Sequence, residues 1–132
     1  MQRREWLQGL AAGSLGTLLA WPAHASPENT PAELAKLWRL QGGVLVLRHA
    51  ATESGLGDPP GFVLGQCTTQ RNLSEAGRQA SRAMGAWMQA QQFKPDAVRS
   101  SQWCRCQDTA RLAFGQFEDW PALNSTFEGQ GD

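Results

Sequence analysis

Val44-Leu45-Val46-Leu47-Arg48-His49 is the stretch that decides the fold. Four apolar residues, two of them β-branched, lie between Gly42-Gly43 and a cation followed by an imidazole. Such a run reads as a strand buried on both faces, the kind found in parallel sheets. On its N-terminal side, Thr30-Pro31-Ala32-Glu33 offers an N-cap, a proline at the first helical position and an acid at the third. This predicts a helix from Pro31 to about Gln41, ended by Gly42-Gly43, with Leu34, Leu37, Trp38 and Leu40 packed on the sheet. On its C-terminal side, the glycines and prolines between Ala50 and Gln70 predict one extended loop, and long loops in small domains tend to be functional. Ser74 then caps a second helix running to about Gln92, with Ala76, Ala80, Ala83, Met84, Trp87 and Met88 as its buried stripe. Ala97-Val98-Arg99 reads as a second strand. A third helix follows from about Arg105 to Phe114, its apolar face formed by Ala110, Leu112, Ala113 and Phe114. Pro121-Ala122-Leu123 reads as the start of a further strand. Helix, strand, helix, strand, helix is the order of an α/β protein, a three-layer sandwich with a mostly parallel sheet flanked by helices.

The chain has 132 residues, 41% of them hydrophobic, which suits one globular domain. Twelve Lys and Arg balance twelve Asp and Glu. No block of like charge marks a nucleic-acid surface or a membrane-adsorbing face, so an anionic ligand must be held by a few placed cations. Residues 1–25 stand apart. Arg3-Arg4 precede an apolar, glycine-containing stretch from Trp6 to Trp21, which ends in Pro22 and Ala23-His24-Ala25. A basic start, a segment weak as a membrane span and a small-x-small cleavage site form an export signal, and the adjacent arginines resemble a twin-arginine address. A Sec signal or an uncleaved anchor is the alternative. Cleavage would deliver a domain of residues 26–132 to the periplasm or outside the cell, without stable membrane insertion. Ser26–Asn29 would be a short linker. His49 would then be the sole histidine.

Export would place Cys67, Cys104 and Cys106 in an oxidising compartment. Cys104 and Cys106 are too close in sequence for an easy mutual bridge, so a disulfide joins Cys67 to Cys104 or to Cys106 and leaves one thiol over. A metal site of the two neighbouring cysteines with Cys67 and His49 lacks the paired Cys-x-x-Cys knuckles of structural zinc sites.

Two polar clusters fall just past the two predicted strands, where α/β sheets hold ligands. The first is Arg48-His49-Ala50-Ala51-Thr52. An isolated histidine at a strand end would merely bond a neighbouring carbonyl, but the second cluster changes that. Ser100 and Ser101 lead to Arg105 at a helix start, near unpaired amides and the positive end of the helix dipole, and Thr109-Ala110 follow.

With these clusters, the chain resembles the histidine phosphatase superfamily, which includes phosphoglycerate mutases, phosphohistidine phosphatases and many acid phosphatases. Arg48-His49-Ala50 matches its Arg-His-Gly, and Leu73-Ser74-Glu75-Ala76-Gly77-Arg78-Gln79-Ala80 matches the block that opens the next helix. Ser100 or Ser101 through Arg105, Thr109 and Ala110 matches its Ser-(x)4-Arg-(x)3-Thr-Ala. The blocks keep the family order over residues 44 to 114. The resemblance implies that His49 attacks phosphorus to form a phosphohistidine, which water hydrolyses. Arg48 and Arg105 would clamp the phosphoryl oxygens, and Thr52 would add a donor. Arg71, at the pocket mouth, would contact substrate. The substrate would be a small phosphorylated molecule or a phosphoprotein, and the chemistry needs no metal or other cofactor.

The sequence departs from the pattern in two places. Ala50 replaces the glycine, a small change that preserves close backbone approach. The family also uses a second histidine late in the chain and an acid in a segment like Leu-Asn-Glu. Here Leu123-Asn124 is followed by Ser125, and Glu128 is the nearest acid. The expectation is therefore a chain cut short of its closing elements, or a degenerate relative that binds phosphate without turning it over.

Overall fold

The computed structural model describes residues 29–55 and 57–125. The export segment and Glu128 lie outside that range. Thr30 accepts a hydrogen bond from the Glu33 amide, and the Glu33 carboxylate accepts one from the Thr30 amide at 2.7 Å, a reciprocal cap that starts α1 (Pro31–Gln41). Gly42, at φ 68°, closes the helix by donating to the Trp38 carbonyl. The helix bounds are those the sequence predicts. Its packing is not. Ala35 is buried and the Trp38 ring lies 4.6 Å from that of Phe93, but Leu34, Leu37 and Leu40 remain exposed instead of covering a sheet.

Residues 44–47 also depart from expectation. Val44 is 89% and Val46 84% exposed, and no backbone hydrogen bond joins this run to another segment among the described residues. A strand is defined by its neighbour's donors and acceptors, and composition alone does not supply the neighbour. The parallel pairing forms elsewhere. β1 (Arg99–Ser100) pairs in parallel with β2 (Glu118–Asp119), through Glu118 N–H to the Val98 carbonyl and Trp120 N–H to the Ser100 carbonyl. β2 falls just before Pro121–Leu123, which forms a 3-10 turn rather than the start of a strand.

Two further helices complete an α/β arrangement. Ser74 accepts from the Gly77 amide and opens α2 (Glu75–Ala90), which packs against α3 (Cys104–Phe114). The buried face of α2 is formed by Gly77, Ser81 and Met88, while Ala76, Ala80, Ala83 and Trp87 of the predicted stripe face outward. Close backbone approach selects that face. A Cβ on Gly77 would stand 2.0 Å from the Ala51 carbonyl oxygen, and one on Gly85 would stand 2.2 Å from that of Ala113. Only the two glycines let the helix sit this near both the loop after His49 and α3.

Cys67 and Cys104 form the disulfide, and Cys106 keeps a free thiol. The bridge ties the loop before α2 to the first residue of α3. Among the described residues no helix is long and apolar enough to cross a membrane.

Candidate active site

The spacing between Arg105 and Thr109 has a direct structural meaning. Four residues apart on α3, they share a face, and the Thr109 hydroxyl donates to the Arg105 carbonyl at 2.7 Å. The same hydroxyl accepts from the Ala50 amide at 3.0 Å. The residue after His49 is thereby fixed to the helix that carries Arg105. From the other side, the Ala51 carbonyl accepts from the Ser74 amide at 3.0 Å, and Gly77 gives it room. All three sequence blocks thus converge on Ala50-Ala51, and His49 is held where they meet.

His49 is half-buried, and its Nδ1 lies 2.8 Å from the Ala50 carbonyl oxygen. A carbonyl can only accept, so Nδ1 carries the proton and, in the neutral ring, Nε2 holds the lone pair. Burial pushes the imidazole pKa below its usual value of 6.5. The Ala50 carbonyl opposes that shift, while the positive charges of Arg105, Arg48 and Arg71 reinforce it. A neutral imidazole with a free Nε2 is the nucleophilic form.

Arg48, His49, Arg71 and Arg105 all line one cleft of about 390 Å³, together with Asp58, Ser101, Trp103 and Cys106. Arg71 donates from Nη1 to the Gly55 carbonyl at 2.5 Å, and the Arg105 guanidinium lies over the Trp103 ring, 4.4 Å from its centroid. Thr52 stands outside this group of lining residues, and its backbone forms an antiparallel bridge with Leu73. Three guanidinium groups and an imidazole line the cleft, a set of donors whose chemistry suits an anion.

Asp58 lines the cleft within Gly57-Asp58-Pro59-Pro60-Gly61, a stretch whose sequence reads as shaping the pocket mouth without giving this carboxylate a role of its own. Both its oxygens accept from Arg105 Nη1 at 3.0 Å, and Oδ1 also accepts from the Arg71 amide at 2.8 Å. In Gly57-Asp58-Pro59-Pro60 it reads as a turn residue, and its partner lies 47 positions away. The available signal is chemical: cations gathered in one cleft call for a counter-charge, and Asp58 is the acid in the middle of the loop.

The model of the histidine phosphatase superfamily (branch 1) matches residues 44–126, and the chain belongs to that superfamily. Among solved structures it is similar to a protein named as a phosphohistidine phosphatase, SixA from Agrobacterium tumefaciens. The two are 26% identical over 56% of this chain and 46% of that one, with a TM-score of 0.42. The chain therefore spans about half the length of that relative. No curated protein matches it.

Proposed function

We propose that this chain carries the nucleophile and phosphate-binding cations of a phosphatase that works through a phosphohistidine at His49. The observation that carries the reading is the 2.8 Å approach of His49 Nδ1 to the Ala50 carbonyl oxygen, which leaves Nε2 available, in a cleft lined by Arg48, Arg71 and Arg105. Nε2 attacks phosphorus, the bond to the leaving oxygen breaks, and that oxygen is protonated from solvent. Water then attacks phosphorus, the N–P bond breaks, and inorganic phosphate leaves while His49 returns to its neutral form. The arginines offset the charge on the transferring group, so this route places no metal in the cycle. The substrate is a small phosphorylated molecule or a phosphoprotein. We also propose export to the periplasm or beyond, a reading supported by the form of residues 1–25 and by the Cys67–Cys104 bridge, a linkage that persists in oxidising compartments.

Turnover of a chromogenic aryl phosphate by the full chain tests the reading. His49→Ala should lower kcat by about 10³-fold or more. Because the imidazole pKa is depressed, the nucleophile stays unprotonated below pH 6.5, and kcat/KM should fall only as the pH drops through the lowered value. An acid limb above pH 6.5, or a His49→Ala enzyme as fast as wild type, contradicts the assignment. Phosphate binding without turnover would instead favour a phospholigand-binding protein.

A further inference from the structure

We propose that Asp58 is a positioning residue of this cleft: one buried carboxylate fixes Arg105 by its side chain and Arg71 by its backbone, holding both arginines in register with His49. The inference rests on the cleft being a phosphoryl site and adds the group that shapes it. The Asp58 side chain is 1% exposed and that of Arg105 10%. A carboxylate so far from water persists only through the charges and donors that hold it. Both are present here, in the Arg105 guanidinium and the Arg71 amide.

Two features favour positioning over competition with the ligand. First, Asp58 is more deeply buried than Arg105 and is anchored by a backbone amide as well as a side chain, which suits a fixed support. Second, the ion pair uses Nη1 alone, and Arg105 Nη2 makes no hydrogen bond among the described residues and is not one of the buried unpartnered atoms, so donor capacity remains on the guanidinium. The Trp103 ring covers one face of that group, so edge and face are both set before a ligand arrives. The Cys67–Cys104 bridge joins the same two segments covalently, and Asp58 supplies the charge register within that frame.

The test uses the full chain with orthovanadate and inorganic phosphate as probes, measured by calorimetry, alongside aryl phosphate turnover. Asp58→Asn keeps the size and an oxygen for the Arg71 amide while removing the charge. It should raise the vanadate Kd by about tenfold or more and lower kcat. In an Arg105→Gln background the same change should cost nothing further, because Asp58 acts through that guanidinium. An unchanged or tighter vanadate Kd in Asp58→Asn overturns the inference, as does an equal loss in both backgrounds. Where Asp58→Asn does not fold, nitrogen NMR of the wild-type Arg105 guanidinium decides. Slow rotation at Nη1 with and without vanadate is expected, and its loss on vanadate binding overturns the proposal. Wild-type protein that binds neither anion removes the phosphoryl-site reading itself, whereas wild-type binding with an unaffected Asp58→Asn removes only the role given to Asp58.

Discussion

The chain on either side of His49 is ordered by opposite means. After it, Ala50 to Asn72 has few regular elements, yet it is tied down by the Thr109 bond to Ala50, the Asp58 ion pair and the Cys67–Cys104 bridge. Before it, Leu34 to Leu47 is rich in apolar residues and includes a well-capped helix, yet most of its large side chains face solvent. Regularity and apolar content are therefore poor guides to where this molecule is held together. The loop half is fixed because each polar bond names its partner, whereas an apolar side chain is satisfied by any neighbour and specifies none.

Substitutions on the two sides should separate accordingly. The largest loss of stability is expected from Cys67→Ser with Cys104→Ser. Opening a bridge that spans a sequence separation of 37 should cost about 3–4 kcal/mol in urea unfolding of the oxidised protein. Gly77→Ala comes next. Its methyl group would meet the Ala51 carbonyl, so about 1–3 kcal/mol should be lost, and turnover should fall as well because Ala51 follows directly on His49. Thermal melts paired with aryl phosphate rates read both effects. Leu40→Ser, on the exposed face of α1, should change stability by no more than about 0.5 kcal/mol. If Leu40→Ser cost more than Gly77→Ala, the contrast between the two halves would be wrong.

The same contrast governs what could be read from the sequence. Thr30 and Ser74 announce their helices because a cap and its amide lie three residues apart, within one local signal. Arg105 and Thr109 are legible for the same reason, as one turn of helix. Asp58 and Arg105 are not, since nothing local marks a pair separated by 47 positions. Of the buried face of α2, the apolar stripe reveals Met88, while Gly77 and Ser81 fall outside a stripe drawn by hydrophobicity. Alanine ranks as more apolar than glycine or serine, but close approach to the Ala51 and Ala113 carbonyls requires the smallest residues, and Gly77 and Gly85 provide the room. β2 escaped notice because Glu118 and Asp119 are exposed and charged, and their pairing with β1 rests on backbone bonds that leave no apolar pattern.

Single-turnover reaction of the full chain with a radiolabelled aryl phosphate, followed by peptide mapping, tests the central claim most directly. The account predicts a base-stable, acid-labile phosphate on His49, absent from His49→Ala. A label that survives acid, maps elsewhere or persists in His49→Ala would contradict it.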